Sequence, residues 1–100
     1  MDPTPIYTDG RQSPAALDIA RGALRILRAL HFAGTTEVTL PNGRRADIMA
    51  VGPAGEIWIV EIKSSVADLR ADTKWPDYRD YCDRLFFAIP DHVPHDIMPA

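Results

Sequence analysis

The fold is decided by one segment, Glu56-Ile57-Trp58-Ile59-Val60-Glu61-Ile62-Lys63, whose apolar run is nearly continuous. Such a run is typical of a central strand that is covered on both faces of its sheet. Two charged residues, Glu61 and Lys63, interrupt the run, and residues two apart on a strand point to the same face. Because burying a lone carboxylate or ammonium group is costly, their placement requires an explanation.

Two further strands are expected before this segment, over residues 36–40 and 44–51. A turn signal follows each of them, at Pro41-Asn42-Gly43 and at Gly52-Pro53-Ala54-Gly55. Tight turns join neighbouring strands that run in opposite directions. The first three strands should therefore form an antiparallel meander.

A first helix is expected from Pro14, capped by Ser13, to about His31 or Phe32, with Gly34 just past its end. Its apolar face is broad and must be covered by another element. We expect a sheet to cover it.

The remaining elements complete an α/β domain. Residues 64–73 are polar with one loose helical turn, Pro76 opens a short helix that ends near Asp83, and residues 84–89 form a fourth strand. Because a helical crossover joins the third and fourth strands, these two should be parallel. The predicted fold is a four-stranded mixed sheet flanked by helices.

The chain has 100 residues, which suffices for one small domain. Hydrophobic residues make up 46% of it and charged residues 25%, so it can bury a core. We expect the domain over residues 13–90, between an irregular arm at 1–12 and an irregular tail at 91–100.

The formal net charge of −3 argues mildly against tight, nonspecific nucleic-acid binding but is compatible with a local basic surface. No run of 18 apolar residues is present, so no membrane partner is expected, and the first residues lack a secretory signal. Cys82 is the only cysteine, which excludes an internal disulfide and a cysteine-rich zinc site. We therefore expect a cytoplasmic protein.

Asp47 places a second carboxylate near the interrupted strand, again at the edge of an apolar run. Counting outward from the turn at residues 52–55 sets Asp47 level with about residue 60, within one residue of Glu61. Two carboxylates at close range repel each other unless a cation lies between them. Oxygen ligands favour Mg²⁺ or Mn²⁺, and the backbone carbonyl of Ile62 is a further candidate ligand.

Lys63 next to such a metal could position or help to deprotonate a water, or neutralise charge on a phosphate oxygen. Asp47, Glu61 and Lys63 thus form a coherent catalytic site for metal-assisted phosphodiester hydrolysis. The alternative interpretation is a structural ion pair between Glu61 and Lys63 on a sheet edge.

Basic and aromatic residues supply candidate nucleic-acid contacts. Arg44 and Arg45 should lie next to Asp47, where a phosphate would arrive. Trp75 and Tyr78 could stack on unpaired bases, or equally pack the second helix onto the sheet. Arg21, Arg25 and Arg28 are better explained as the solvated surface of the first helix. Tyr81 is better explained as a core residue.

The spacing of the charged residues resembles a known nuclease signature. Asp47, thirteen further residues and then Glu61-Ile62-Lys63 are similar to the PD-(D/E)XK pattern, with Ala46 in place of its leading proline. Three longer blocks together resemble the MmcB family of bacterial DNA repair proteins. They are Gly43-Arg44-Arg45-Ala46-Asp47-Ile48-Met49-Ala50, Trp58-Ile59-Val60-Glu61-Ile62-Lys63-Ser64-Ser65 and Lys74-Trp75-Pro76-Asp77-Tyr78-Arg79-Asp80-Tyr81-Cys82-Asp83.

This resemblance covers roughly residues 14–90 and implies a restriction-endonuclease-like αββαβ core with a role in DNA repair. It implies that Asp47 and Glu61 are metal ligands, that Lys63 is the catalytic lysine, and that Lys74 is an additional basic residue near the second helix. Family members usually continue beyond the point that corresponds to residue 100, so a shortened domain is one expectation for this chain.

One departure from the superfamily concerns a further acidic residue on the first helix. That helix offers only Asp18, and Glu37 on the first strand is the substitute that the sequence provides. If neither residue reaches the site, chemistry with one metal ion is expected, or no activity.

The function expected from these features is Mg²⁺-dependent or Mn²⁺-dependent cleavage of damaged or branched DNA. A non-catalytic DNA-binding module on the same fold is the first alternative. An adaptor that binds repair-complex proteins through residues 75–81 is the second. Many proteins of this fold dimerise to cut both strands, which makes a homodimer compatible with the resemblance, although no sequence feature marks an interface.

Overall fold

A computed structural model describes residues 14–90 of the chain. Its elements in chain order are α1 (Pro14–Ala29), β1 (Ala33–Thr39), β2 (Arg45–Val51), β3 (Ile57–Ile62), α2 (Val66–Ala71), a 3₁₀ helix (Trp75–Tyr81) and β4 (Arg84–Ala88). The predicted arm at 1–12 and tail at 91–100 lie outside the described residues, so the domain boundaries stay predictions. Within the described part, no helix is long and apolar enough to cross a membrane.

The four strands form one mixed sheet in the order β1-β2-β3-β4. β1 pairs with β2 and β2 with β3 in antiparallel register, whereas β3 and β4 are parallel. α2 and the 3₁₀ helix make the crossover between the parallel pair. The predicted fold class, a four-stranded mixed sheet flanked by helices, is confirmed.

β3 is covered on both faces, as its apolar run predicts. Val60 packs in a cluster beneath α1, together with Leu27 and Ile48. The preceding residue along the strand, Ile59, points to the opposite face and packs against Tyr78 of the 3₁₀ helix. Since successive side chains alternate between faces, two layers of helix enclose this strand.

The aromatic residues Phe32, Trp58 and Phe86 link the end of α1 to the sheet. The rings of Phe32 and Trp58 stack with their centroids 3.9 Å apart, and Phe86 lies 4.9 Å from Trp58 in a tilted arrangement. These contacts connect β3 and β4 to the segment that follows α1, and they fix where that segment turns into β1.

The end of α1 differs from the prediction, because the helix stops at Ala29. His31 then adopts a left-handed conformation with φ of 66°. The N–H of Phe32 donates to the carbonyl of Leu27 at 2.8 Å, and the N–H of His31 donates to the carbonyl of Arg28 at 2.9 Å. These two bonds are the pattern of a Schellman cap, in which glycine usually takes the position of His31.

The prediction that Gly34 terminates the helix is wrong, because Gly34 lies inside β1. A Cβ atom at this position would come within 2.8 Å of the Leu24 Cδ2 atom. A larger residue would therefore force the Leu24 side chain to move, so glycine suits the close approach of β1 to α1. β1 also begins earlier than predicted, at Ala33 instead of residue 36.

We expect the substitution His31→Gly to raise the free energy of unfolding by about 0.5–1 kcal/mol, since glycine adopts a left-handed conformation without steric cost. His31 is exposed, so the substitution removes little packing. Urea unfolding of the variant beside wild type measures the change. His31→Ala is the control and should not stabilise the protein, because alanine retains the strain. Equal stabilities of the two variants would contradict this explanation.

Candidate active site

The candidate site begins where the β2–β3 ladder ends. The last pair of residues in that ladder is Ile48 and Val60, and the same register continued by one step sets Asp47 opposite Glu61. Counting along the sequence places Asp47 level with about residue 60, one position away. The strands thus bring the two predicted carboxylates to directly facing positions.

Both carboxylates accept hydrogen bonds from the backbone of the facing strand. The N–H of Asp47 donates to Glu61 Oε2 at 2.9 Å, and the N–H of Ile62 donates to Asp47 Oδ2 at 2.8 Å. At the point where the ladder stops, the carboxylates accept the hydrogen bonds of these two backbone N–H groups. The two reciprocal bonds hold the carboxylates next to each other between the strands.

Burial makes this pair electrostatically unfavourable without a cation. Glu61 is only 4% exposed, and burial together with the charge of Asp47 raises the pKa of Glu61 to about 7. Burial also raises the pKa of Asp47, outweighing the hydrogen bond from Ile62 and the charge of Lys63. Two desolvated carboxylates side by side are the arrangement that an added positive charge would stabilise most.

Lys63 lies in the same region but pairs with Asp72, which is not among the residues predicted from the sequence. Its Nζ atom is 2.7 Å from Asp72 Oδ2, and the side chain of Asp72 is only 3% exposed. Burial would raise the pKa of Asp72, but the hydrogen bonds from Lys63 and from the Lys74 N–H outweigh it and lower that pKa. The ion pair of Lys63 is thus made with Asp72, and not with Glu61 as the structural alternative requires.

Asp72 carries one sequence signal that could have drawn attention to it. Its Oδ1 atom accepts the N–H groups of Lys74 at 2.7 Å and Trp75 at 3.0 Å, which is the local turn that aspartate favours. The turn itself could be read from the sequence. The buried contact with Lys63 could not, because it joins residues on either side of α2 that only the folded chain brings together.

One polar cleft of about 340 Å³ collects most of the predicted site residues. Its lining residues are Gly43, Arg44, Arg45, Asp47, Glu61, Lys63, Asp72, Lys74 and Tyr78. Ile62 lines an adjoining cleft of about 350 Å³, which shares Lys63, Asp72 and Lys74 with the first. Trp75 lines neither of these two clefts.

The two arginines of the cleft are partly exposed and form ion pairs at its rim. Arg44 Nε lies 3.0 Å from Asp77 Oδ2, which connects the β1–β2 turn to the 3₁₀ helix. Arg45 lies 3.9 Å from Glu37. Such exposed pairs are weak, so either arginine can exchange its carboxylate for a phosphate at little cost.

Tyr78 contributes its hydroxyl group and not its ring to the cleft. The residue is 5% exposed, and its hydroxyl donates to the Arg45 carbonyl at 3.4 Å. Burial and the charges of Glu61 and Asp47 raise the pKa of Tyr78 to about 12. Its ring is therefore not available to stack on a base, and of the two interpretations the packing role is the one observed.

Trp75 is half-buried, and the guanidinium carbon of Arg79 lies 4.9 Å from the centroid of its ring. The two aromatic candidates thus differ, because only Trp75 keeps part of its ring surface accessible. A base that stacked on Trp75 would compete with Arg79 for the ring or use its other face.

The further acidic residue sought on α1 is not at the cleft. Asp18 is exposed and pairs with Arg21 at 3.2 Å. Glu37 is closer, since the strand register places it opposite Asp47, and its charge contributes to the raised pKa of Asp47. It lies between the β1 residues that pair with Ile48 and Ala46, and its φ of 56° interrupts that ladder.

Among residues 14–90, no group of three or more His, Cys, Asp or Glu side chains is placed to hold a metal ion. Asp47 and Glu61, whose carboxylates face each other, are a pair of side chains that could bind a hard cation together. Such a cation needs only one or two protein carboxylates when water fills its remaining positions. The donor set is compatible with that mode of binding.

We expect the metal-free protein to lose stability as the pH rises from about 5 to 8. The pKa of Glu61 is higher in the folded chain than its ordinary value, so the contribution of Glu61 to stability is full below pH 4.5 and is lost as the pH rises through 7. The loss is on the order of 3 kcal/mol. Urea unfolding in the presence of a chelator measures it.

Glu61→Gln should flatten this profile, because glutamine keeps an acceptor for the Asp47 N–H without gaining charge. Asp18→Asn, at an exposed carboxylate on α1, is the control and should leave the profile unchanged. A wild-type stability that stayed constant or increased between pH 5 and 8 would show that the pair is not strained.

Comparison with solved structures finds a similar protein of unknown function from Silicibacter pomeroyi. It is 43% identical in sequence to this chain, and the two folds superimpose with a TM-score of 0.80. The similarity covers 89% of this chain and 61% of that protein, so the chain spans about three-fifths of the relative's length.

No match was found among functionally curated proteins. Comparison with protein families, in contrast, matches residues 3–100 to the family described as DNA repair protein MmcB-like. The match spans nearly the whole sequence, including the facing carboxylates, Lys63 and the loop that carries Asp72. The chain therefore belongs to the MmcB-like family of DNA repair proteins.

Proposed function

We propose that this protein hydrolyses phosphodiester bonds of DNA with a divalent cation, as part of DNA repair. The observation that carries the proposal is the pair of desolvated carboxylates, Asp47 and Glu61, held together by reciprocal backbone hydrogen bonds. Lys63 lies in the same cleft. The order of strands and the Asp…Glu-x-Lys spacing support assignment to the PD-(D/E)XK superfamily, with its restriction-endonuclease-like core.

The proposed metal ligands are one oxygen each of Asp47 and Glu61 and the backbone carbonyl of Ile62. A bound Mg²⁺ or Mn²⁺ would polarise the phosphate and lower the pKa of a water nucleophile. The raised pKa values of both carboxylates support this assignment, since a cation would remove their repulsion. With two carboxylates available, binding of a single metal ion is the form that the site favours.

The side chains of the cleft would handle the substrate and its charge. Lys63 would donate a hydrogen bond to the attacked phosphate or to the attacking water. Arg44, Arg45 and Lys74 would orient the DNA backbone, because they line the same cleft as the carboxylates. This clustering explains how a chain with net charge −3 could still bind DNA at one place.

Damaged or branched DNA is the proposed substrate class. Unpaired bases occur in both, and the accessible part of the Trp75 ring, next to Lys74, is the surface on which one could stack. Binding of repair-complex proteins is a further proposal that follows from the family. A homodimer that cuts both strands is another, and it follows from the proposed nuclease fold.

A second candidate function is a DNA-binding module that does not cleave. The observation that favours it is the absence, within residues 14–90, of a third ligand side chain at the site. Such a module would bind DNA through Arg44, Arg45 and Lys74 without a metal. An adaptor that uses residues 75–81 differs from both, since it needs neither metal nor DNA.

Calorimetric titration of Mg²⁺ or Mn²⁺ into the protein should show binding that Asp47→Asn weakens by about tenfold or more, because one of two charged ligands is removed. Asparagine keeps an acceptor for the Ile62 N–H, so the fold should persist. Asp18→Asn, an equal loss of charge on exposed α1, should bind as wild type does. Equal metal affinity in all three proteins would exclude the proposed site.

Cleavage of branched and single-stranded DNA is measured with the same proteins and with Lys63→Ala. Lys63→Ala removes a group that would stabilise charge at the reacting phosphate, so its rate of cleavage should be lower on the order of 100-fold or more. DNA binding with no metal-dependent cleavage in wild type would instead favour the non-catalytic module.

DNA affinity should depend on the cleft cations and not on the arginines of α1. A triple alanine variant of Arg44, Arg45 and Lys74 should bind more weakly, and its log–log salt dependence should be shallower by about 0.9 for each phosphate that is no longer neutralised. The control with an identical change of charge is the triple alanine variant of Arg21, Arg25 and Arg28. Fluorescence anisotropy at several salt concentrations measures both. Equal effects of the two variants would indicate nonspecific attraction only.

A further inference from the structure

Asp72 is a buried carboxylate outside the Asp47–Glu61 pair. Its side chain is 3% exposed, and its partner Lys63 is 17% exposed. A buried charge is retained only when it is paired and fully hydrogen-bonded. Asp72 satisfies both conditions, because one oxygen accepts a hydrogen bond from Lys63 Nζ and the other accepts hydrogen bonds from two backbone N–H groups.

These contacts connect two separate parts of the cleft through one carboxylate. Lys63 follows the end of β3, whereas Lys74 immediately precedes the 3₁₀ helix and Trp75 is its first residue. Asp72 Oδ2 lies 2.7 Å from the Lys63 Nζ atom. Asp72 Oδ1 accepts hydrogen bonds from the backbone N–H groups of Lys74 and Trp75, at 2.7 and 3.0 Å. Asp72 therefore connects the side chain of Lys63 to the backbone of Lys74.

We propose that Asp72 is a positioning residue, which holds the Lys63 ammonium group and the Lys74 loop in place to receive one DNA phosphate. This inference rests on the proposed function. A free lysine side chain has four rotatable bonds and would sample many positions in an open cleft. An ammonium group donates three hydrogen bonds, so the contact with Asp72 leaves two for a phosphate oxygen or a water.

Asp72 does not act as a metal ligand in this arrangement. Both of its oxygens already accept hydrogen bonds, and the ammonium group of Lys63 lies against one of them. A cation beside that ammonium group would be repelled. Positioning and ligation therefore predict different effects on metal affinity.

The substitution Asp72→Asn separates the contact with Lys63 from the structure of the loop. Asparagine has an Oδ1 acceptor for the N–H groups of Lys74 and Trp75, but it provides no charge for Lys63. Asp68→Asn is the matched control. Asp68 lies on neighbouring α2, is exposed and lines the adjoining cleft together with Lys63, and its carboxylate accepts a hydrogen bond from the Ser64 hydroxyl. Asp68→Asn therefore removes the same charge close to Lys63 while the ion pair with Asp72 stays in place.

The side chain of Lys63 can be observed directly, because Lys63 and Lys74 are the only lysines of the chain. Protein labelled with ¹³C,¹⁵N-lysine should give two ammonium signals by NMR, assigned with Lys74→Arg. We expect the Lys63 signal of wild type to show a rigid Cε–Nζ bond and slow hydrogen exchange. In Asp72→Asn its exchange should be about tenfold faster and the bond mobile, while Asp68→Asn should match wild type.

Two further measurements distinguish positioning from a general structural role. In Asp72→Asn the affinity for Mn²⁺ should be unchanged, and kcat for DNA cleavage should fall about tenfold or more with little change in KM. Asp72→Glu should recover part of both the order of Lys63 and the rate. The proposal is overturned if Lys63 stays ordered in Asp72→Asn, or if Mn²⁺ affinity falls as it does in Asp47→Asn.

Failure of the proposed function gives a different result. If the wild-type protein cleaves no DNA, hydrolysis is refuted. The affinity for inorganic phosphate would then be measured in place of kcat. A fall in phosphate affinity in Asp72→Asn but not in Asp68→Asn, together with a mobile Lys63, would support positioning. Unchanged phosphate affinity would overturn it.

Discussion

The exchange of hydrogen bonds between Asp47 and Glu61 across the open end of the β2–β3 ladder is the constraint on which the rest of the site depends. Each carboxylate accepts a backbone N–H from the facing segment, and this holds two negative charges together in a desolvated position. Such an arrangement opposes folding unless something compensates it. A cation bound between the carboxylates would compensate it, and that cation would lie in the polar cleft that both carboxylates line.

The elements around this pair make the cleft from parts that are distant in sequence. The β1–β2 turn supplies Arg44, and the crossover after β3 supplies Asp72 and Lys74. The 3₁₀ helix contributes buried Tyr78, which lines the cleft, packs against Ile59 and donates a hydrogen bond to the carbonyl of Arg45. Tyr78 is thus part of the core and of the site, so a change in the packing of this residue would also alter the cleft.

Much of this arrangement could be predicted from the sequence. The apolar run ending at Glu61 predicts a strand buried on both faces, and turn spacing predicts its facing residue, Asp47, to within one position. What could not be predicted depends on tertiary contacts. The close approach of Gly34 to Leu24 arises across the core, and the partner of Lys63 is Asp72, a residue beyond α2 that only the folded chain brings next to it. Tyr78 illustrates a middle case, since an aromatic residue on a short helix fits either a core or a binding surface.

The central claim is that Asp47 and Glu61 together bind a divalent cation. The most direct measurement is diffraction from crystals soaked in Mn²⁺, with data collected near the manganese absorption edge. The account predicts one anomalous peak between the two carboxylates, within coordination distance of an oxygen of each. Well-ordered crystals with no peak there, and with the Asp47–Ile62 and Glu61–Asp47 hydrogen bonds unchanged, would contradict it.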